Sequence, residues 1–393
     1  MFLSSLIFLF LSSPVFSQIE ISFEKEFSFG KQEESAHLFF FDDYFISISY
    51  AIDDSIPEIQ DSVNGRFVFR KLDFDGNVIW EKNYVHDRIK KLGSNGLSFI
   101  FLKVLFYKDQ FILFTEGNRE DRSYCKSLNY AESLSVYYFD KNCDFISKEN
   151  ECFGVSSYIT NMKKIGDKVL FVGMVFTSPI RFPTIISYDL ITKEFESRFY
   201  PVPGVINDII TSDDGYEFIG MKYYKQYLNV CGQNYLMGNN WLGKVGYDLK
   251  LKSSREFKYI NKIVPMRFEK LGENDYLIFL RSHESFYNGF YRYKDNKLVF
   301  TNIDRLDNRF LNYFIEDDII YVIDHSYYPS KMQLSANKNE KRLWRYTILE
   351  DAEDNASIYK KDGYYYLVSN KNYLDKETYY AKVTMIIKKF KIK

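Results

Sequence analysis

ITSDDGYEFIG, residues 210–220, sets a short strand-like run against an apolar one across a tight acidic turn. The same pattern returns as FFFDDYFISIS (39–49), LFYKDQFILF (105–114), KKIGDKVLFVG (163–173), KLGENDYLIFL (270–280), YFIEDDIIYVI (313–323) and IYKKDGYYYLV (358–368). Alignment puts Asp43, Asp109, Asp167, Asp214, Asn274, Asp317 and Asp362 at one position. From Asp43 to Asp362 is 319 residues in six steps, about 53 residues each. Asp and Asn tolerate left-handed backbone angles and bond their own backbone, and Gly supplies positive φ. The aromatic and branched residues that follow suit a pleated, half-buried surface.

A second, looser hairpin lies between successive copies. Its best example is FVFRKLDFDGNVIWEKNY, residues 67–84, turning at Asp75-Gly76-Asn77. Each unit therefore holds about four antiparallel strands, A to D, which is one blade of a β-propeller. The expected fold is all-β: seven four-stranded antiparallel blades. The competing readings are six or eight blades, or a β-sandwich. The seventh unit offers only three strands, while IEISFEKEFSF (19–29) is strand-like and has no hairpin partner. Pairing that N-terminal strand into the last blade closes the ring and removes exposed edges. Asp87 to Leu92 reads as a turn or two of helix in a loop.

Residues 1–17, MFLSSLIFLFLSSPVFS, have an apolar run and a small-residue cleavage site before Gln18. This is a signal-peptide pattern, although the n-region lacks Lys and Arg. The expectation is a cleaved leader and a single propeller domain over 18–393. That domain would be secreted, periplasmic or at the cell surface, with no membrane span after cleavage. The 52 basic and 53 acidic residues give a net charge of −1, which excludes the basic footprint of a nucleic-acid binder. The 34 Tyr and 37 Phe are the usage of an AT-rich genome.

GVINDIITSDDGYEFIG (204–220) and RKLDFDGNVIWEKNY (70–84) resemble the two halves of a repeat in secreted bacterial β-propeller proteins. The second half is also similar to quinoprotein-type and WD40-like blades, in which an aspartate, a glycine and a tryptophan recur. Close similarity covers about 40 residues, in units one and four. A quinone-dependent dehydrogenase would repeat the tryptophan of Trp80, whose only counterpart is Trp344. The resemblance implies an extracytoplasmic propeller and no particular reaction, and no cofactor follows from it.

The A–B turns and most C–D turns are tight, while the B–C connections are longer, at about 52–65, 117–132, 224–240, 283–288 and 326–331. Binding sites favour the face that carries long loops. Seven residues beyond the turn acid, strand B should reach that face at Tyr50, Glu116, Met174, Met221, Arg281, Asp324 and Ser369. One further residue on, Lys222 and His325 join them. Six residues before the acid, strand A contributes His37, Lys103, Asn161, Asp208, Phe268, Leu311 and Ala356. The candidate channel-mouth set is His37, Glu116, Asn161, Asp208, Lys222, Arg281, Asp324 and His325. A merely solvated rim would also be polar. Tyr224, Tyr227, Trp241 and Tyr327 are candidate loop aromatics, suited to stacking on a sugar or docking a protein.

Two functions use this set. One is a non-catalytic ligand-binding or protein-interaction module for an extracellular glycan or protein. The other is an extracellular polysaccharide-acting hydrolase or lyase, with Glu116 and Asp324 as acid and base, Arg281 holding an anionic group and His325 moving a proton. Nucleophile-elbow, zincin, P-loop and dinucleotide motifs are absent. Four His residues and cysteines at 125, 143, 152 and 231 show no metal-ligand spacing. A Cys143–Cys152 disulfide would conflict with the blade, since the two lie at opposite ends of a strand. Cys125 and Cys152 share a face and would be able to pair.

Overall fold

The computed structural model describes residues 19–28, 32–53, 62–90, 102–116, 133–152, 156–177, 180–228, 234–257, 263–282, 288–295, 297–300, 309–327, 330–338, 341–350, 352–374 and 381–393. Among them every regular element is a strand, and no helix is long and apolar enough to cross a membrane.

The chain begins with β1 (Ile19–Phe27) and then builds blades in order. Blade 1 is β2 (Gln32–Phe40), β3 (Phe45–Asp53), β4 (Ser62–Leu72) and β5 (Val78–Lys90). Blade 2 is β6 (Leu102–Tyr107), β7 (Gln110–Glu116), β8 (Ser133–Asp140) and β9 (Phe145–Cys152). Blade 3 is β10 (Ser156–Ile165), β11 (Lys168–Thr177), β12 (Ile180–Asp189) and β13 (Phe195–Phe199). Blade 4 is β14 (Gly204–Ser212), β15 (Gly215–Leu228), β16 (Asn234–Val245) and β17 (Leu251–Phe257). Blade 5 is β18 (Ile263–Gly272), β19 (Asp275–Ser282), β20 (Asn288–Lys294) and β21 (Lys297–Phe300). Blade 6 is β22 (Arg309–Glu316), β23 (Ile319–Tyr327), β24 (Ser330–Lys338) and β25 (Lys341–Glu350). Blade 7 is β26 (Ala352–Lys361), β27 (Tyr364–Leu374) and β28 (Ala381–Ile392), completed by β1 on the outer edge of β28. Asp87–Lys90 continue β5 rather than turning into helix, because Arg88, Ile89 and Lys90 pair with β4.

The β1–β28 pairing is antiparallel and runs from Ile19↔Ile392 to Phe27↔Met385. It closes seven blades into a ring, as the strand count required. The A strands are innermost: β2 adjoins β6 and β26, and β14 adjoins β10 and β18.

One apolar cluster sits at each of the seven blade junctions. Phe67 and Phe69 meet Tyr137 and Phe139 between blades 1 and 2. Phe114 meets Phe171 and Tyr188 between blades 2 and 3. Leu170 meets Phe218 and Trp241 between blades 3 and 4. Leu242 meets Tyr276 and Tyr293 between blades 4 and 5. Phe279 and Phe290 meet Tyr313 between blades 5 and 6. Tyr321 and Leu334 meet Leu367 and Phe390 between blades 6 and 7. Tyr366 and Met385 meet Phe45 and Leu72 between blades 7 and 1. Burying one such side chain contributes ~1.5–3 kcal/mol, so the aromatic-rich composition is spent mainly between blades.

A buried ion network within blade 1 faces the closing junction. Glu33 accepts hydrogen bonds from Ser49 Oγ (2.5 Å) and from Arg70 Nη1 and Nη2, the latter at 3.0 Å. Arg70 Nε donates to Glu81 Oε2 at 2.6 Å, and the guanidinium lies 5.3 Å from the Phe27 ring centroid. Burial would push the Arg70 pKa down, but Glu33 and Glu81 outweigh it and raise the value.

The turns follow their chemistry. Lys108-Asp109, Asp317-Asp318 and Asp362-Gly363 have positive φ at both central positions, the backbone that matches strand twist in a two-residue hairpin. In the C–D turns, strand-end aspartates cap the backbone. Asp73 Oδ1 accepts the N–H groups of Asp75 (3.0 Å) and Asn77 (2.8 Å). Asp140 does the same for Asn142 and Asp144. Gly76 takes φ +79° inside the first of these turns. Cys143 takes φ +62° in the second and is a buried free thiol, its pKa pushed up to about 12 chiefly by burial. It is therefore not bonded to Cys152, as the blade register requires. Cys125 and Cys231 lie outside the described residues.

Candidate functional site

The channel lining is shaped by a β-bulge repeated in the innermost strands. The register shifts between Ile159 and Asn161, Ile206 and Asp208, Pro265 and Arg267, and Phe310 and Asn312. Each bulge places one extra residue against its partner strand and re-aims the side chains around it. Thr160 Oγ1 lies 2.9 Å from the Val172 carbonyl and 2.7 Å from that of Ile206 in the next blade. Asn207 Nδ2 donates to the Pro265 carbonyl of the following blade at 2.7 Å.

The next residue in each strand extends this into a belt. Asn161 Oδ1 accepts Met162 N–H at 2.8 Å, while Nδ2 donates to Asp208 Oδ1 at 2.9 Å. Asp208 Oδ2 accepts Phe268 N–H at 3.1 Å, and Lys163 Nζ lies 2.9 Å from Oδ1. Arg267 Nη1 donates to Asn312 Oδ1 at 2.8 Å, and Asn312 Nδ2 donates to the Ala356 carbonyl at 3.2 Å. Blades 3 to 7 are thus joined through polar side chains around the channel. Lys103 holds the matching place in blade 2. Its pKa is lowered, first by burial and then by the charge of Arg267.

The strand pairings fix which residues occupy equivalent places. His37↔Ile48, Lys103↔Phe114, Asn161↔Val172, Asp208↔Ile219, Arg267↔Phe279, Asn312↔Ile323 and Ser357↔Val368 form one ring of positions. His37, Lys103, Asn161 and Asp208 stand where the sequence puts them. Phe268, Leu311 and Ala356 are each one residue away, and Arg267, Asn312 and Ser357 take their places. In blade 5 an extra register shift between Lys270 and Gly272 moves the strand by one. In blades 6 and 7, Asp317 and Asp362 are the first turn residues, whereas Asp109 and Asp214 are the second.

The strand-B expectations change more. Asp324 and His325 are buried rather than exposed at the rim. Asp324 Oδ1 accepts a hydrogen bond from Arg345 Nη2 at 2.5 Å inside blade 6, and His325 Nε2 lies 3.0 Å from Ser330 Oγ. Tyr50, Met174 and Met221 are buried too. Trp241 is not a loop aromatic: it is 0% exposed in the core between blades 3 and 4. Lys222 is half-buried and pairs with Glu256 at 2.9 Å. Glu116 ends β7, Arg281 lies on β19, Tyr224 and Tyr227 on β15, and Tyr327 ends β23; their side chains lie outside the described residues. Of the candidate set, Asn161 and Asp208 are in direct contact. At the loop end of blades 3 to 5, Met174, Val205 and Met221 form an apolar cluster with Tyr223 and Val264. Burial pushes the Tyr223 pKa up to about 12. Among the described residues no group of three or more His, Cys, Asp or Glu side chains gathers as a metal site would need.

No family model and no curated protein matches the chain. Among solved structures it is similar to the β-propeller domain of the Trilobed protease from Pyrococcus furiosus (11% identity, TM-score 0.48, covering 91% of this chain and 94% of that one). It is also similar to Pyrococcus horikoshii acylaminoacyl peptidase, at 11% identity and TM-score 0.46 over 89% of this chain and 51% of that one. A third likeness is to the parainfluenza virus 5 hemagglutinin-neuraminidase ectodomain, at 7% identity and TM-score 0.43 over 73% and 81%. The fold assignment rests on the strand pairing itself.

Proposed function

We propose that the chain is an exported β-propeller acting as a non-catalytic ligand-binding or protein-interaction module, and that its partner meets the B–C loop face. The observation that carries this reading is how the acids of the candidate set are used. Asp324 is paired with Arg345 within a blade, and Asp208 is held by Lys163, Asn161 and the Phe268 amide between blades. A hydrolase acid or base must reach a substrate proton; Asp324 is engaged in an ion pair inside blade 6 and Asp208 in contacts between blades. The loop end supplies a different chemistry. The buried Met174, Val205 and Met221 cluster, with Tyr223 packed against it, gives the base of that face an apolar support for the loops.

The leader-like residues 1–17 and the resemblance to secreted bacterial propeller repeats support export and an extracellular glycan or protein partner. The test is thermal melting of residues 18–393 against calcium, pyrroloquinoline quinone, and neutral and acidic oligosaccharides. A ligand at a hundred times its dissociation constant adds about 2.7 kcal/mol, a shift easily read. A glycan that stabilises the protein and is recovered intact fits the proposal. Recovery of cleaved glycan would overturn it in favour of the hydrolase.

A further inference from the structure

Blade 4 departs from the repeat at one position. Three residues beyond the second turn residue, the blades carry Ile46, Ile112, Leu170, Glu217, Leu277, Tyr321 and Tyr366. Six are apolar or aromatic, and only blade 4 has a carboxylate. Glu217 is buried, and its two oxygens are fully engaged. Oε1 takes Lys270 Nζ at 3.0 Å and Lys244 Nζ at 3.1 Å, and Oε2 accepts the Tyr276 hydroxyl at 2.5 Å. Burial would raise its pKa, but these donors outweigh it and the value falls.

A cavity of about 180 Å³ opens beside it, between blades 4 and 5 on the tight-turn face. Glu217, Lys244, Arg255, Tyr276, Ser254 and Asn274 line it. The Arg255 guanidinium sits 5.0 Å from the Tyr293 ring centroid and 6.0 Å from that of Tyr276, which fixes its plane. One carboxylate and two cations, Lys244 and Arg255, thus line the cavity, leaving one net positive charge beside a serine hydroxyl, while Lys270 also pairs with Glu217. The turn position on its wall completes the pattern. Asn274 is the second residue of its turn, where five of the other six blades carry Asp and blade 7 carries Gly363. An aspartate would repel an anion, whereas an amide can donate to one. Departures from a local rule concentrate at functional sites.

We propose that this cleft binds a tetrahedral oxyanion, the phosphate or sulfate group of a small monoester. Arg255 presents the fork that matches such a group. Lys244 supplies charge, and Ser254 and Asn274 supply neutral donors. Glu217 anchors the ammonium groups rather than touching the ligand. The site is on the face opposite the B–C loops, so it stands or falls separately from the loop-face reading.

The experiment is calorimetric titration of residues 18–393 with inorganic phosphate, inorganic sulfate, a hexose 6-phosphate and a hexose 6-sulfate, at constant ionic strength in chloride. Saturable one-to-one binding of at least one probe is expected. Arg255→Gln should weaken it by about tenfold or more, with the unfolding midpoint in chloride nearly unchanged because Arg255 is partly exposed. Lys103→Met, in the channel, should leave it intact. Preference for the phosphate or the sulfate ester then identifies the source of the group. The proposal is overturned by the absence of saturable binding of all four probes. Equal affinity in Arg255→Gln, or loss of binding in Lys103→Met instead, would also overturn it.

Discussion

Glu33 and Glu217 are both carboxylates buried on inner strands of the ring, and the protein treats them in opposite ways. Glu33 lies within blade 1, facing the closing junction, with Arg70 2% exposed above it, and Ser49 and Glu81 complete the network. Glu217 lies at an ordinary junction, and the cations around it, Lys244 and Lys270, are 43% and 31% exposed beside a cavity. A buried ion pair is costly to assemble and costlier to break, because the survivor is left uncompensated. Within blade 1, whose four strands carry Glu33, Ser49, Arg70 and Glu81, that cost holds the strands to the paired arrangement. At the blade 4/5 junction the charge balance is left unequal and open to water.

The sharpest way to break this contrast is to remove one partner of the sealed network. Arg70→Met should cost ~3–5 kcal/mol in denaturant unfolding at pH 7, by stranding Glu33. Adding Glu33→Gln to that variant should recover part of the loss, and a strictly additive double mutant would refute the coupling of the two residues. Trp241→Ala tests the apolar side of an ordinary junction and should cost about as much, ~3–5 kcal/mol.

Glu217→Gln should be milder at neutral pH, ~1–3 kcal/mol, and its signature is in the acid limb. The folded Glu217 pKa lies below the ordinary glutamate value of 4.5. Its stabilisation is therefore complete above about pH 4.5 and is lost as pH falls through the lower folded value. The gap between wild type and Glu217→Gln should narrow from pH 5 to pH 3; a gap that widens would mean that the carboxylate is not held as an anion. The smallest effect belongs to the surface. Lys82→Ala removes a 2.7 Å pair with Asp144 between exposed groups and should shift stability by less than ~1 kcal/mol.

The repeat was legible because each blade writes the same physics twice, in a turn that needs special backbone angles and in a strand that needs branched or aromatic residues. The seventh blade's missing strand was legible by subtraction. Register was harder to read. One residue of slip sends a side chain to the other face of its strand, and the turn acid alone does not say whether it is first or second in its turn. Asp317 and Asp318 are both acidic, so spacing could not choose between Leu311 and Asn312. Slip does not account for Asp324, since His325, Tyr50, Met174 and Met221 are buried as well: strand B is still covered seven and eight residues beyond the turn acid. The shift between Lys270 and Gly272 left no trace in the turn pattern, since KLGENDYLIFL and KKIGDKVLFVG have the same length. The Glu217 site had a signal, a charged residue at a position that is otherwise apolar in the repeat. Trp241 went unrecognised as core because it follows a long connection, where burial cannot be read from neighbours.

The antiparallel pairing of β1 with β28 sets Ile19 beside Ile392. Tension applied at those two residues therefore pulls from the same end of the strand pair. Hydrogen bonds then load one rung at a time rather than together, so the ring should part like a zip at low force. The same pair pulled at Ile19 and Met385 would be sheared, with all its rungs loaded at once, and would hold far longer.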